Sequence, residues 1–333
     1  MIRALIKNLM ALLVLTVAVP ANAQGAGATQ VRQSGRTYTQ WLYNGVVDLL
    51  WPRLAPKLQA HFATPEGLHA FIAQIKTQLG RETSVVRERT LPWLDGEVYH
   101  RTATFSRFPG PVWVQWTIAP DGVVQGLLVK PEPAPAPSRH LDYQTRTPLR
   151  LPFAGEWFVF WGGRSVMKNY HAAAPDQRFA YDFLVAREGG THSGDPSSNQ
   201  SYFCFGEPIL APGDGTVVAV EGSIADNIPA QMNYRPSLGN HVIIDHGNGE
   251  HSFLAHLQRG SVQVKLDDTV RSGNRLGRCG NSGRSSEPHL HYHLQTTPRF
   301  RAGEGLPAQF LDYQADGKTV ARGEPTRGQM VAP

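Results

Sequence analysis

Three histidines at alternate positions constrain this chain more than any other feature. Residues 287–294 read EPHLHYHL, so His289, His291 and His293 are separated by apolar or aromatic residues. Successive side chains of a β-strand point to opposite faces, so the three imidazoles would share one face of a strand. One such histidine is more often a polar residue on an edge strand. Three of them behind the Gly/Ser-rich segment 280–286 predict a metal site, because neutral imidazole is the commonest protein ligand of zinc.

The first 23 residues have the pattern of a secretory signal peptide. Arg3 and Lys7 precede a short apolar run over 9–19, and a small-x-small cleavage site ends at Ala23. The apolar run is shorter than the ~20 residues that a membrane-spanning helix needs, and no later stretch is apolar enough. We therefore expect cleavage after Ala23 and an exported protein, periplasmic or secreted, with no transmembrane segment.

The charge balance argues against a nucleic-acid partner. The formal net charge is +5, and removing Arg3 and Lys7 with the signal peptide leaves 5 − 2 = +3. This bias is mild, and the chain has no dense Lys/Arg cluster interleaved with aromatic residues, which a nucleic-acid footprint requires. The bias is compatible with an anionic cell-wall polymer.

The two cysteines, Cys204 and Cys279, favour a disulfide, because an even count in an exported protein is usually paired. Two buried thiols or two thiolate metal ligands are the alternatives. Neither cysteine belongs to a Cys-x-x-Cys pair, which makes thiolate ligation the weaker alternative. Their separation along the chain does not fix their distance, so the disulfide is a prediction.

A proline-rich segment divides the chain. Residues 131–137 contain four prolines at alternate positions, which favour extended polyproline geometry. We predict a semi-rigid linker over 131–149, a first domain over 34–130 and a second domain over 150–333.

The first domain has the pattern of a small α+β fold. Helical spacing of apolar residues predicts helices over 43–51 and 65–79, the second capped by Thr64. Strand-like runs follow at 97–108, 112–119 and 123–130. The pattern loosely resembles cystatin-like or NTF2-like domains ahead of catalytic domains in exported bacterial proteins. That resemblance implies substrate positioning or the binding of a protein partner.

The second domain is predicted to be all-β. Short apolar strands alternate with turns, and the pattern leaves no room for βαβ units. The clearest pair is 241–245 and 250–257, which the turn His-Gly-Asn-Gly at 246–249 joins into a hairpin.

Polar residues inside apolar strands of this domain are candidates for a metal centre. Asp182 interrupts an apolar run, where an unpaired carboxylate would be costly, although an ion pair with Arg178 would also explain it. His256 likewise interrupts an apolar run, and a core histidine bonded to a backbone carbonyl is the alternative. A catalytic zinc needs about three protein ligands, and metal-assisted hydrolysis uses further acid–base groups. The full set of candidates is His171, Asp182, His256, His289 and His291.

Five segments of this domain resemble the M23 family of zinc metallopeptidases, of LytM and lysostaphin type, in order and spacing. They are GEPILAPGDG at 206–215, GNHVIIDHGNG at 239–249, FLAHL at 253–257, GRCGNSG at 277–283 and PHLH at 288–291. The resemblance covers roughly residues 155–300. It implies a LytM-type antiparallel sheet with a groove, one Zn²⁺ per chain, and hydrolysis of peptidoglycan cross-link peptides.

The resemblance also implies a role for each candidate. The metal ligands would be His171, Asp182 and His291, and the catalytic imidazoles would be His256 and His289. In many family members the first ligand lies four residues before the aspartate, where this chain has Arg178.

The first ligand is therefore chosen between two histidines. His171 lies 182 − 171 = 11 positions before Asp182 and fits a longer family pattern, Asn-x-His…Gln-Arg-x-Ala-x-Asp. His192, in a polar loop beyond the strand, is the competitor. His293 stands where the family often has an acidic or amide residue, so its role is open.

Three functions are compatible with the sequence. The first is a zinc endopeptidase of peptidoglycan. The second is a catalytically silent M23-like module that binds or activates wall hydrolases, which should lack at least one ligand or catalytic histidine. The third is a zinc peptidase that acts on exported proteins. The chain keeps a candidate for every ligand and catalytic position, which favours an enzyme.

Overall fold

The chain forms two compact units in a computed structural model that describes residues 28–93 and 96–333. Of these described residues, the first unit comprises those up to 132 together with 188–190, and the second comprises 133–187 with 191–333. The predicted signal peptide lies outside the described residues. Within the described part of the chain, no helix has the length and apolar character needed to cross a membrane.

Helices open the first unit. They are Ala28–Asn44, Val47–Leu50, Pro56–Phe62 and Pro65–Leu79, with a 3₁₀ turn at Trp51–Arg53. The helix predicted over 43–51 is broken instead, because Gly45 adopts a φ of 77° and ends the first helix. The helix predicted over 65–79 is confirmed, and the Thr64 hydroxyl caps it by accepting a hydrogen bond from the Gly67 N–H at 3.2 Å.

A four-stranded antiparallel meander completes the first unit. Its strands, β1 (Glu82–Trp93), β2 (Gly96–Phe105), β3 (Phe108–Ile118) and β4 (Val124–Pro131), pair in chain order. Buried Trp116 on β3 donates its indole N–H to Thr39 of the first helix at 2.9 Å, so sheet and helix share one core. The order of helices and strands is α+β, as predicted, although β1 was not foreseen. The cystatin-like or NTF2-like assignment stays a prediction.

One large antiparallel sheet dominates the second unit. The strands of this unit are β5 (Trp157–Trp161), β6 (Tyr181–Leu184), β7 (Pro208–Leu210), β8 (Gly215–Glu221), β9 (Asn240–Asp245), β10 (His251–Leu257), β11 (Thr269–Val270), β12 (Arg275–Arg278), β13 (Leu290–Gln295), β14 (Gly305–Leu306), β15 (Phe310–Ala315), β16 (Lys318–Gly323) and β17 (Met330–Ala332). Their order in the large sheet is β11-β8-β9-β10-β13-β6-β5-β17-β15-β16, and β14 pairs with β13 at its side. Strand β7 pairs separately with β12. The all-β prediction and the β9–β10 hairpin are confirmed.

The segment predicted as a linker lies partly in the second unit. Residues 133–149 group with it, and Leu149 is buried in its core. Glu250 holds this segment, because its carboxylate accepts hydrogen bonds from Thr147 N–H at 2.8 Å and from Arg146 N–H at 2.7 Å. Alternating prolines at its start do not prevent later residues from packing.

Cys204 and Cys279 form a disulfide, with the Cα atoms 5.9 Å apart. Both residues are buried in the core of the second unit. The bond joins the segment before β7 to the end of β12, immediately ahead of the Gly/Ser-rich residues 280–286. The alternatives of free thiols and thiolate metal ligands are thereby excluded.

Candidate active site

Neighbouring strands at the centre of the large sheet bring the first two donors together. In the register of β13 with β6, His291 stands opposite Asp182, and in that of β13 with β10 it stands opposite Ala255. The Nδ1 of His291 lies 2.9 Å from Oδ1 of Asp182, and both side chains are buried. A strand pair that places a histidine opposite an aspartate thus fixes two donors without help from a loop.

His171 supplies a third donor from the 3₁₀ turn Tyr170–Ala173. Its Nδ1 lies 2.9 Å from Oδ1 of Asn169, whose amide group donates to the carbonyls of Gly163 and Ala180 at 3.1 and 2.9 Å. These two bonds fix the orientation of the Asn169 amide, so its oxygen accepts the proton of His171 Nδ1. The unprotonated Nε2 of His171 therefore faces Oδ2 of Asp182 at 3.6 Å.

The three donors suit a divalent cation. Their ligand atoms all lie within 4.8 Å of one another. Burial lowers the pKa of His171 to about 3, so this ring is neutral near pH 7. Burial alone would raise the pKa of Asp182, but His171, His289 and His291 together hold it below its ordinary value. An ionised carboxylate in a buried position is costly without a compensating cation, and His₂Asp is a zinc-type donor set.

His256 reaches the site through a break in strand geometry. On β10, Phe253 and Ala255 stand opposite His293 and His291, so strict alternation would turn the next side chain to the other face. Instead the β9–β10 register shifts between Leu254 and Leu257, and His256 adopts a φ of 64°. A bulge of this kind re-aims a side chain. The ring centroid of His256 consequently lies 5.7 Å from that of His291.

Backbone carbonyls fix the tautomers of both outer histidines. The Nδ1 of His256 lies 2.8 Å from the carbonyl oxygen of Ser282, and the Nδ1 of His289 lies 2.8 Å from that of Glu287. A carbonyl only accepts, so each Nδ1 carries the proton and each Nε2 keeps its lone pair. The Nε2 of His289 lies 3.7 Å from Oδ1 of Asp182. Burial lowers the pKa of both rings, so both are neutral near pH 7.

His293 lies behind the metal-facing atoms. Its Nδ1 is 2.9 Å from Nε2 of His291, and its ring stacks on Phe253 with the centroids 4.4 Å apart. When His291 presents Nδ1 to a metal, its Nε2 carries the proton and donates it to His293. His293 therefore acts on the site through His291.

The competitor His192 is not part of the donor group. Its ring packs against Tyr202 with the centroids 4.9 Å apart, and the two residues form an isolated β-bridge. The orienting roles of Asn169, Ser282 and Ser285 were not predicted from the sequence. Of these residues, Asn169 had a signal in the sequence, because it is the first residue of the Asn-x-His pattern.

The site thus combines a His₂Asp donor set with two further neutral imidazoles on an antiparallel sheet. Such a combination is typical of metal-dependent hydrolases. Residues 201–302 match the family model "Peptidase family M23". Over these residues the chain is similar to peptidase family M23. The matched residues include His256, His289 and His291. His171 and Asp182 precede the matched region in sequence, and the fold places their side chains beside His291.

Curated relatives match over the same region. Peptidoglycan DD-endopeptidase ShyA of Vibrio cholerae serotype O1 is 37% identical over 90 residues, which are 27% of this chain and 18% of that protein. DD-carboxypeptidase/endopeptidase Mpg of Neisseria meningitidis serogroup B is 36% identical over 87 residues, which are 26% of this chain and 17% of that protein. The chain thus covers less than a fifth of the length of these relatives.

Among solved structures, the catalytic domain of a variant of the prophage-encoded M23 protein EnpA from Enterococcus faecalis overlaps the chain. The overlap covers 47% of this chain and 93% of that domain, at 21% identity and a TM-score of 0.30. The sequence match to the family, not this overlap, defines the class.

Proposed function

We propose that this protein is an exported zinc-dependent endopeptidase that hydrolyses peptide bonds in peptidoglycan cross-links. One observation carries the proposal. His171, Asp182 and His291 converge within 4.8 Å, and the Nε2 lone pairs of His256 and His289 are left free beside them. A module that only binds wall hydrolases has no need of this complete set.

Zinc would be held by Nε2 of His171, a carboxylate oxygen of Asp182 and Nδ1 of His291. When bound there, Zn²⁺ supplies Lewis acidity, which polarises a carbonyl and lowers the pKa of water to about 7. Asn169 and His293 hold the two imidazole ligands in the tautomers that such binding requires.

The two outer histidines handle protons. Each can accept a proton on Nε2, because its Nδ1 proton is committed to a backbone carbonyl. One ring takes a proton from the attacking water on its Nε2. That proton then passes, directly or by way of the other ring, to the leaving amine as the peptide bond breaks, and the ring that carries it meanwhile stabilises the developing oxyanion. Their low pKa values keep both rings available as bases near neutral pH.

The choice of wall peptides as substrate rests on two supports. The predicted signal peptide directs the chain to the compartment where peptidoglycan lies. The similar region of ShyA belongs to a protein named as a peptidoglycan DD-endopeptidase. The first unit is proposed to position substrate or bind a protein partner.

Asparagines connect the loops that would line the groove. Asn227 donates its amide N–H to the Gly283 carbonyl at 2.7 Å, and Asn199 donates to the Asn227 carbonyl at 2.7 Å. Asn281 completes the set by donating to Oδ1 of Asn199 at 3.0 Å. Loops joined in this way can select substrate without moving the metal donors.

The test is zinc content and wall-peptide cleavage by the mature protein, beside His291→Ala and His171→Ala. We expect about one zinc per chain in the wild type, and loss of both metal and cleavage in each variant. His192→Ala is the matched control and should keep both.

Zinc retention by His171→Ala together with zinc loss by His192→Ala would refute the donor set. A wild type that binds no zinc would refute the enzyme and favour the activator function. Cleavage of a protein substrate but not of wall peptides would refute the substrate class.

A further inference from the structure

A positively charged side chain, that of Arg284, lies in the segment that orients His256 and His289. The Ser282 carbonyl binds His256, and the Ser285 hydroxyl lies 3.1 Å from Nδ1 of His289. Arg284 stands between these two serines in the sequence and is exposed. Its backbone is therefore held on both sides by contacts to the proposed catalytic groups.

The loop that carries Arg284 is rigid where it begins. The Ser282 hydroxyl donates to the Leu257 carbonyl at 2.7 Å and accepts from the Asn240 N–H at 2.9 Å. Gly283 has a φ of 78°, and a Cβ there would come within 2.3 Å of the Gly239 nitrogen. The backbone of Arg284 is thus placed with little freedom relative to the metal donors.

The guanidinium of Arg284 has no carboxylate partner within the described part of the chain. It takes part in no ion pair among the residues that the structure describes. It lies over the ring of Tyr234, 5.6 Å from the centroid, and the Arg284 N–H donates to the Ser237 carbonyl at 3.1 Å. A stacked guanidinium keeps its edge N–H groups free for an anion.

The acidic groups of this region already have partners. Asp182 is the acidic group among the metal donors, and its carboxylate already faces the imidazoles of His171, His289 and His291. The other nearby carboxyl, Glu287, accepts a hydrogen bond from Thr191 at 2.9 Å. A metal-loaded site would therefore present excess positive charge to a substrate.

We infer that the Arg284 guanidinium binds a free carboxylate of the substrate peptide beside the scissile bond, and so selects carboxylates over the matching carboxamides. The inference rests on the proposed peptidase function. Guanidinium and carboxylate match in a bidentate geometry, whereas a carboxamide offers one acceptor and no charge. Arg284 would thus determine specificity without taking part in the proton transfers.

The experiment compares two wall peptides that are identical except for a carboxylate or a carboxamide next to the scissile bond. Cleavage by the zinc-loaded wild type should favour the carboxylate by about 10-fold to 100-fold, mainly through KM. Arg284→Ala should abolish this preference while its kcat on the carboxamide and its zinc content stay at the wild-type level. Arg284→Lys should restore part of the preference. Arg271→Ala, which removes an exposed arginine from the turn between β11 and β12, is the matched control and should keep it in full.

Equilibrium binding of both peptides to the zinc-free protein separates the inference from the proposed function. Loss of cleavage by every form with binding preference retained would refute the peptidase and leave the carboxylate site standing. An equal affinity of the wild type for both peptides would overturn the inference. So would an equal loss by Arg284→Ala on both peptides, or loss of zinc from this variant, because either would assign Arg284 a structural role.

Discussion

Breaking the Cys204–Cys279 bond should destabilise the second unit strongly, because the bond closes a loop of 75 residues. In the chain-entropy account, the lost constraint is 2.1 + 1.5R ln 75, about 15 cal/mol/K, which is about 4.5 kcal/mol at 25 °C. Measured effects are usually smaller than this value. We therefore expect the double variant Cys204→Ser/Cys279→Ser to lose about 3–4 kcal/mol of unfolding free energy.

The same bond supports the site loop. Cys279 donates its backbone N–H to the Glu207 carbonyl at 2.8 Å and accepts from the Gly206 N–H at 2.9 Å. Residues 280–286, which orient His256 and His289, follow directly. Loss of the bond should therefore lower cleavage as well as stability, even though neither cysteine contacts the metal donors.

The assay is hydrogen exchange followed on peptides from β10 and β13, since exchange reports the opening free energy of a chosen segment. The two single serine variants serve as controls. If the cysteines act as one bond, either single change costs nearly as much as the double change. Additive losses from the single variants would show two independent buried thiols and would refute the reasoning. A double variant within about 1 kcal/mol of wild type would refute the magnitude.

Three further predictions concern single side chains. Burial raises the pKa of Glu287 from 4.5 to about 7, against the opposing hydrogen bond from Thr191. The protonated carboxyl therefore stabilises the fold fully below pH 4.5, and this contribution is lost as the pH rises through 7. Glu287→Gln should remove up to about 3 kcal/mol of this pH dependence, measured as the difference between wild-type and variant unfolding curves. His293→Ala should weaken zinc binding about 10-fold to 100-fold in a chelator competition, and His293→Glu, which keeps an acceptor, should restore most of it. Asn169→Ala should weaken zinc binding by a similar factor in the same competition, because it frees the tautomer of His171.

Much of the second unit could be predicted from local patterns. Alternating histidines fixed the face of β13, and the His-Gly-Asn-Gly turn fixed the β9–β10 hairpin, because both signals depend on neighbours in sequence. The strands over 310–332 were not predicted. They extend the sheet beyond β5 through β17, and pairing between distant strands leaves no periodic signal of its own.

The proposed first zinc ligand, His171, shows the limit of spacing arguments. His171 and His192 lie on either side of Asp182 in sequence, and both were candidates. The structure separates them by context: Asn169 fixes the ring of His171 toward Asp182, whereas Tyr202 packs on the ring of His192. That distinction depends on where a 3₁₀ turn folds against a strand, which residue spacing does not encode.

His256 could be named from sequence but not placed. Its position in an apolar strand indicated a polar function, yet strict alternation would have turned its side chain away from His291. A φ of 64° in a non-glycine residue costs on the order of 1–2 kcal/mol. The fold accepts this cost at the one position of β10 where the side chain must leave the alternating pattern to reach the metal donors. The Leu238 carbonyl, which accepts the His256 N–H at 3.0 Å, compensates for the hydrogen bond that the bulge removes from the ladder. The local rule is therefore broken where the proposed chemistry needs an imidazole, and this strain is itself an argument for function at this site.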